Sequence, residues 1–344
     1  MSALSLDARL LRELRATAVH LLPGDFADAL AVPGEQIAAA LTRLRGAGFD
    51  IEEKPGLGCR LLASPDRLIA DDLLARIGDS ALARGNPPAR ENPLAREILT
   101  FEETASTNDV AARLGREGHA GGLLVFAERQ TAGRGRFGRR WDSAPHAGLW
   151  FSLLLRPAFA TPLWVRLTTW AGVCVAAAIE RATGLHTQVK WPNDVLIGGK
   201  KIAGILTECS SDMARGMFAV TGIGLNVNHE TMPAELADRA ASLRQIAGCT
   251  FDRSALAAAI VAELAARLPE VDTAFERILA EAARRSSILG NWIRIEAADI
   301  SFEGRAEALD TEGNLLLRLA DGTLRTMTAG EVSFQPRTSV PAAD

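Results

Sequence analysis

Residues 133–141 combine four arginines with three glycines in nine positions, in the order GRGRFGRRW. Glycine lets backbone N–H groups approach a ligand closely, because it has no Cβ. Guanidinium groups present forks of donors that match a carboxylate or a phosphate. The segment therefore predicts a loop that binds an anion. The alternative is a solvated basic surface loop, since runs of charge usually lie in water.

A second segment, residues 190–194, reads KWPND and precedes two apolar stretches that flank a Gly198-Gly199 turn. The pattern predicts strands joined by a hairpin. Pro192 fixes its own φ and favours an extended Trp191, so Lys190 should end a strand. A lysine held in this way beside an arginine loop suits the stabilisation of charge at a phosphate undergoing displacement. The alternative is an ordinary surface lysine next to a core tryptophan.

Taken together, these segments resemble those of the biotin protein ligases, and closely those of the bifunctional type that joins a ligase to a biotin-operon repressor. The resemblance extends from about residue 5 to residue 336. It depends on segments that occur in the order 106–108, 130, 133–141, 190–194, 201–206, 222–228 and 330–333.

The resemblance implies a two-step, ATP-dependent reaction. The carboxylate of biotin attacks the α-phosphate of ATP, which gives biotinyl-5′-AMP and pyrophosphate. A lysine of a biotin carboxyl carrier domain then attacks the mixed anhydride and releases AMP. The catalytic residues implied are Lys190, which would neutralise charge at the α-phosphorus, and Arg134 and Arg136, which would clamp the carboxylate and the phosphates.

The resemblance also implies binding sets for both substrates. The biotin-binding set is Ser106, Thr107, Asn108, Gln130, Arg134, Gly135, Arg136 and Lys190. The ATP-binding set is Arg139, Asn193 and Asn226. Simple helix capping is the alternative for Ser106 and Thr107, because Ser106 and Asp109 have the spacing of a capping box. Mg²⁺ is expected with ATP, held mainly by phosphates and water, and no metal site made by the protein is predicted.

The order of predicted elements indicates a multidomain α+β chain. Residues 1–66 read as a winged helix-turn-helix DNA-binding domain, with a turn at 32–34, a helix over 35–46 and a wing around a Pro-Gly turn. Residues 67–95 read as a linker and residues 96–287 as a mixed-sheet α/β catalytic domain of the biotin/lipoate-ligase kind. Short strands over 288–337 predict a small β-barrel, which the resemblance makes SH3-like.

The predicted recognition helix offers few side chains to DNA. Only Gln36, Thr42 and Arg43 could contact bases or phosphates, and Glu35 would repel them. We nevertheless expect operator DNA to be a partner on grounds of architecture, and we expect a homodimer when the adenylate is bound, since a two-fold dimer suits a palindromic operator.

The chain departs from the family type near its C-terminus. The family often carries an arginine two residues after the serine of segment 330–333. This chain has Gln335 at that position, and Arg337 follows two residues further on.

Composition limits the remaining choices. A net charge of −4 means that any affinity for nucleic acid must come from a local patch. The four cysteines are scattered and read as reduced thiols, and no apolar run precedes Asp7, so we expect a cytoplasmic protein that does not enter a membrane. Two alternatives to the ligase remain, namely a lipoate ligase and a biotin-sensing transcription factor without enzymatic activity.

Overall fold

The computed structural model of the chain describes residues 4–82, 92–212, 216–297 and 300–334. The first unit consists of three helices and an antiparallel hairpin. Its elements are α1 (Leu6–Ala16), α2 (Pro23–Leu30), α3 (Gly34–Gly46), β1 (Asp50–Lys54) and β2 (Gly58–Ala63). The helix predicted over 35–46 is confirmed as α3, and its stripe of Ile37, Leu41 and Leu44 is buried against α1 and α2 as the 3.6-residue period requires.

The range expected to be a linker, 67–95, contains a helix. Helix α4 (Ala70–Leu82) occupies thirteen residues of it. Leu73 and Ile77 pack into the core of the central unit, whereas Ala75 packs into the core of the first unit. The prediction differed because it gave weight to Asn and Pro residues that follow this helix in sequence, over 86–93. Helix α4 is thus a shared structural element between two cores.

The central unit is a seven-stranded mixed sheet, as predicted. Its strands are β3 (Glu97–Thr104), β4 (Leu123–Gln130), β5 (Gly148–Leu155), β6 (Gln188–Lys190), β7 (Asp194–Ile197), β8 (Lys200–Asp212) and β9 (Gly216–Asn226). They lie in the order β3-β4-β5-β9-β8-β7-β6, with β3 and β4 parallel and the other neighbours antiparallel. Alternate residues of β4 point to opposite faces, so Leu124 and Phe126 join one core and Leu123 and Val125 join the other.

Helices cover both faces of this sheet. They are α5 (Thr107–Arg116), α6 (Leu167–Thr183), α7 (Leu243–Ala247), α8 (Arg253–Arg267), α9 (Glu270–Thr273) and α10 (Phe275–Arg285). Among the described residues one stretch, Thr161–Thr183, has the length and apolar composition of a membrane span. However, 67% of its most apolar window is buried inside the protein, where α6 packs on α8 and the sheet, and the core helix of a globular domain meets the same criteria.

The last unit is a five-stranded antiparallel sheet, which confirms the predicted change to short strands. It comprises β10 (Trp292–Ala297), β11 (Ile300–Leu309), β12 (Leu315–Leu319), β13 (Leu324–Met327) and β14 (Glu331–Phe334), in the order β13-β12-β11-β10-β14. Trp191, from the loop after β6, lies in the core of this unit beside Ile293, Leu315 and Val332. Gln335 and Arg337 lie outside the described residues.

A buried arginine joins the start of α4 to the central sheet. The Arg253 side chain is 0% exposed, and its Nε donates to Asp66 Oδ1 at 2.7 Å. Its Nη1 donates to Glu128 Oε2 at 2.5 Å, and the Glu128 side chain is only 4% exposed. Glu128 Oε1 also accepts from the backbone N–H of Leu68 at 2.7 Å. Because each charge is paired and hydrogen-bonded, the segment before α4 is fixed to the sheet.

We predict that Arg253→Ala destabilises the protein by about 3–5 kcal/mol, because it removes the buried guanidinium from the Glu128 carboxylate, which among the described residues keeps only the Leu68 N–H and a longer contact with His146 at 3.4 Å. The midpoint of thermal unfolding measures the effect. Arg244→Ala is the matched control, since Arg244 pairs with Glu230 at 2.9 Å near the surface, and it should cost no more than about 1 kcal/mol. Equal shifts for the two variants would contradict a structural role for the buried pair.

Candidate active site

A cavity of about 440 Å³ opens between the centre of the seven-stranded sheet, residues 133–141 and the C-terminal unit. All the residues predicted to bind biotin or ATP line this cavity. They are Ser106, Thr107, Asn108, Gln130, Arg134, Gly135, Arg136, Arg139, Lys190, Asn193 and Asn226. The residues predicted to contact DNA, Gln36, Thr42 and Arg43, are instead exposed on α3.

Residues 133–141, hereafter the arginine loop, form a small hairpin over the cavity. The N–H of Gly135 donates to Arg139 O at 2.7 Å, and the N–H of Trp141 donates to Gly133 O at 2.9 Å. A helical turn, Arg136–Gly138, makes the tip, where Phe137 has a φ of 57° and an exposed side chain. The loop thus presents arginines on both of its sides.

Three of the cations around the cavity are each paired with a carboxylate from another element. Arg134 donates through both terminal nitrogens to Glu208 on β8, each at 2.8 Å. Arg139 makes a two-pronged contact with Glu331 on β14. Lys201 Nζ lies 2.7 Å from Asp194 Oδ1. The loop is therefore anchored to the central sheet on one side and to the C-terminal unit on the other.

Arg136 is held by neutral acceptors instead. Its Nη1 donates to Asn193 Oδ1 at 3.2 Å and to Gly330 O at 3.4 Å. Burial lowers the pKa of this guanidinium, and the carboxylates of Asp194 and Glu331 oppose that shift. Its charge is available to an anion because no described carboxylate forms an ion pair with it.

Lys190 is the last residue of β6, as predicted, and faces Asp194 across the hairpin. Within the described part of the chain its ammonium group has no hydrogen-bond or ion-pair partner. Burial lowers the pKa of Lys190, the carboxylates of Asp194 and Glu331 raise it, and Lys201 lowers it further. The next residue, Trp191, is locked into the C-terminal unit by an Nε1 hydrogen bond to Gly313 O at 3.1 Å. Lys190 is thus an unpaired, half-buried cation on a rigid support.

A chain of polar side chains lies at the start of α5. Gln130 Oε1 accepts from the backbone N–H of Thr107 at 2.8 Å and from its Oγ1 at 3.1 Å. Ser106 is the N-cap residue, but the predicted capping box is wrong, because Ser106 makes no side-chain capping bond. The Asp109 carboxylate, which would form the other half of the box, pairs instead with Arg134 at 2.8 Å.

Trp141 forms a wall of the cavity against two glycines. A Cβ on Gly204 would lie 2.8 Å from its ring, and a Cβ on Gly224 would lie 2.6 Å from it. The ring packs edge-on against Trp150, with centroids 6.1 Å apart. A third glycine, Gly222, leaves room for the Asn108 amide, which a Cβ would meet at 2.2 Å. These positions exclude any side chain for steric reasons.

Sequence reasoning missed some of the residues here. Glu208 was given no role, and His229 was assigned none, yet His229 lines the cavity 5.8 Å from the Trp150 ring. Burial lowers the pKa of His229, and its Nδ1 has no partner in the described structure. Asn226, which was predicted, lines the cavity as well, but the hydrogen bond from its amide to Ala241 O at 3.2 Å was not expected. No local spacing in the sequence could have revealed these contacts.

Family comparisons agree with this architecture. Residues 100–228 match the Biotin/lipoate A/B protein ligase family, and residues 288–335 match the Biotin protein ligase C terminal domain. The fold and site are therefore those of a protein ligase of the biotin/lipoate class. More narrowly, this chain belongs to the biotin protein ligase family.

Individual relatives cover most of the chain. It is 33% identical over 305 residues to the bifunctional ligase/repressor BirA of Bacillus subtilis, spanning 88% of this chain and 90% of that one. It is 33% identical over 243 residues to the biotin–[acetyl-CoA-carboxylase] ligase of Mycobacterium tuberculosis, spanning 69% and 88%. The structure of the Aquifex aeolicus biotin protein ligase in complex with biotin and ATP matches with a TM-score of 0.61 and 30% identity, covering 70% of this chain and 99% of that one.

We predict that Gly224→Ala displaces Trp141 and costs about 1–3 kcal/mol of stability, the usual range for overpacking. The near-ultraviolet circular dichroism of the tryptophans should change with it. Gly172→Ala is the control, because a Cβ there meets nothing within 4 Å. It should leave the spectrum unchanged and stabilise α6 by up to about 1 kcal/mol. An unchanged spectrum for Gly224→Ala would contradict the packing described for Trp141.

Proposed function

We propose that this protein is an ATP-dependent biotin–[acetyl-CoA-carboxylase] ligase that forms biotinyl-5′-AMP and then transfers biotin to a lysine of a biotin carboxyl carrier domain. The observation that carries the proposal is the unpaired, half-buried ammonium of Lys190 beneath an arginine loop. Such a cavity suits two anions that must be brought together. Membership of the biotin protein ligase family supports the choice of substrates.

In the first step, a carboxylate oxygen of biotin bonds to the α-phosphorus, the bond from that phosphorus to the bridging oxygen breaks, and pyrophosphate leaves. Negative charge gathers at the α-phosphate, where Lys190 would stabilise it. Such preorganised charge is worth a few kcal/mol, on the order of 10²–10³ in rate. Arg136 would share this task, since only neutral acceptors hold it.

Arg134 would clamp the biotin carboxylate without leaving Glu208. A guanidinium has five N–H donors, and the contact with Glu208 uses only the terminal nitrogens. The Gly135 backbone at the same turn would approach the ligand closely. In the second step the carrier lysine attacks the acyl carbon and AMP leaves, while the arginine loop excludes water from the anhydride.

The two ends of the cavity suit the remaining parts of the substrates. The biotin ureido ring has one carbonyl acceptor and two N–H donors, which match the hydroxyls and amides of Ser106, Thr107, Asn108 and Gln130 at a helix N-terminus. At the other end, Arg139, Asn193 and Asn226 would bind ATP, with the Trp141 ring as an apolar wall. The position of these residues in one cavity supports both assignments.

Mg²⁺ accompanies ATP in this proposal and would be held mainly by ATP phosphates and water. The described residues contain no cluster of three or more His, Cys, Asp or Glu side chains that could hold a metal ion. The nearby carboxylates of Asp194 and Glu331 are paired with Lys201 and Arg139.

We further propose that residues 1–66 form a winged helix-turn-helix that binds operator DNA through Gln36, Thr42 and Arg43. Residues 96–287 would be the catalytic domain and 288–337 an SH3-like domain. The adenylate-bound form would be a homodimer that spans two half-sites. The relatives named ligase/repressor support the DNA-binding role.

The basic residues of the first unit are engaged by its own acids. Arg43 pairs with Asp7, and Arg45 pairs with Glu53 at 2.9 Å. Lys54 and Arg60 both contact Glu52, at 3.4 and 3.3 Å. Few cations are therefore free to contact phosphates, and binding to DNA should depend on the dimer.

The direct test of the ligase is transfer of labelled biotin to an isolated biotin carrier domain. The proposal requires transfer that depends on ATP. Transfer of labelled lipoate instead of biotin would indicate a lipoate ligase. Tight binding of biotin without any transfer would indicate a non-enzymatic biotin sensor. Either of those results would contradict the proposal.

We predict that Lys190→Ala lowers the rate of biotinyl-5′-AMP formation by about 10²–10³, because the charge at the α-phosphate loses its stabilisation. Single-turnover formation of the adenylate measures this. Lys200→Ala is the control, because Lys200 is exposed and bonds to Ala237 O. A rate for Lys190→Ala within about tenfold of the wild type would show that the assigned role is wrong.

We predict that the full protein retards its biotin-synthesis promoter only when biotin and ATP are present. The slope of log K against log salt should be no steeper than about −4 per half-site, since each phosphate contact contributes about −0.9. Glu52→Gln frees Lys54 and Arg60, so this variant should bind more tightly with a steeper slope. Equal retardation with and without biotin and ATP would contradict coupling of DNA binding to the ligand. A salt slope for Glu52→Gln equal to that of the wild type would contradict the idea that Glu52 neutralises Lys54 and Arg60.

A further inference from the structure

Glu208 contacts both the floor of the cavity and the arginine loop above it. Its Oε2 accepts from Asn108 Nδ2 at 2.8 Å and from Arg134 Nη2 at 2.8 Å, and its Oε1 accepts from Arg134 Nη1 at 2.8 Å. We propose that Glu208 is a positioning residue that couples recognition of the biotin ring to closure of the arginine loop. This inference rests on the ligase function proposed above.

The contact on the floor side belongs to a continuous series of polar contacts. Gln130 accepts from Thr107 Oγ1 at 3.1 Å, and Ser152 Oγ lies 2.7 Å from that same hydroxyl. Ser152 Oγ also lies 2.5 Å from Asn108 Oδ1. Asn108 is almost completely buried, so its other end, Nδ2, is aimed at Glu208 with little freedom. A ligand ring on Gln130 and Asn108 would therefore fix the orientation of the Glu208 carboxylate.

The contact on the loop side depends on that orientation. The two terminal nitrogens of Arg134 form a parallel fork with the two oxygens of Glu208, a geometry that is lost when the carboxylate rotates. Both side chains are partly exposed, at 40% and 37%, so the ion pair alone contributes little. The coupling comes from one carboxylate serving both contacts.

Asp109 provides an internal comparison. Its carboxylate also pairs with Arg134, at 2.8 Å, but within the described structure it makes no side-chain contact with Asn108. If Glu208 only anchored the loop, removing the charge of either residue would weaken biotin binding to a similar, small extent through Arg134. If Glu208 couples the two regions, its substitution weakens biotin binding much more than substitution of Asp109 does.

The test measures two quantities in the full-length protein, namely the Kd for biotin and the rate at which preformed biotinyl-5′-AMP is released. Glu208→Gln should raise both by about tenfold, because it removes a charge-assisted fork and lets the side chain rotate. Asp109→Asn should raise each quantity by no more than about threefold, as expected for an exposed pair. Single-turnover formation of the adenylate should change less than either quantity for Glu208→Gln, because Lys190 is untouched.

Glu307→Gln is the matched control. Glu307 makes the same two-pronged contact with Arg318 at similar exposure, but in the C-terminal unit away from the cavity. It should change neither quantity. Where Glu208→Gln fails to fold, as judged by circular dichroism, Glu208→Asp takes its place, since the shorter side chain cannot reach both partners and should also raise both quantities.

A Kd for biotin raised no more than in Asp109→Asn, together with faster release, would reduce Glu208 to a loop anchor and overturn the coupling. Values within twofold of the wild type for both quantities would overturn any positioning role. If instead the wild-type protein forms no biotinyl-5′-AMP, the proposed ligase function fails, and that result is distinct from failure of the coupling.

Discussion

The need to balance positive charge in a partly buried cavity is the constraint on which the site depends. Cations gathered in a medium of lower dielectric must be paired, or their burial is costly. Arg134, Arg139 and Lys201 obtain carboxylates from β8, β14 and β7, respectively. Lys190 does not, and its lowered pKa reports the cost of that position. Lys190, together with Arg136, which only neutral acceptors hold, is therefore available to substrate anions.

This constraint explains why the C-terminal unit packs against the catalytic sheet. It supplies Glu331 to Arg139 and the Gly330 carbonyl to Arg136. Trp191, directly after Lys190, is buried in the core of the C-terminal unit, and its Nε1 donates to Gly313 O. Because Lys190 and its neighbours are fixed by two units at once, the position of the reactive cation depends on their association.

The sequence predicted the parts of the site that have a local pattern. The strand ending at Lys190, the hairpin after it and the loop over 133–141 follow from the positions of proline and glycine, and the structure places their side chains in one cavity. The helix predicted over 35–46 and the short C-terminal strands also have local signals. The binding roles of the individual residues are proposals that placement alone supports.

What the sequence could not predict arises from contacts between distant residues. Glu208 meets Arg134 across 74 positions, and no spacing rule identifies such a partner. Ser106 makes no side-chain capping bond, and the Asp109 carboxylate of the expected capping box pairs with Arg134 instead. Helix α4 was assigned to a linker because of the Asn and Pro residues that follow it, and the division of its apolar residues between two cores has no local signal in the sequence.

In the proposed reaction, the unpaired cation and the arginine loop serve the joining of biotin to the α-phosphate of ATP. Pyrophosphate release in the absence of any carrier domain is the sharpest measurement of this step. We expect a burst of about one equivalent per site with biotin and ATP, followed by a slow phase while the adenylate is retained, and no release with lipoate. No burst with biotin, or an equal burst with lipoate, would contradict it.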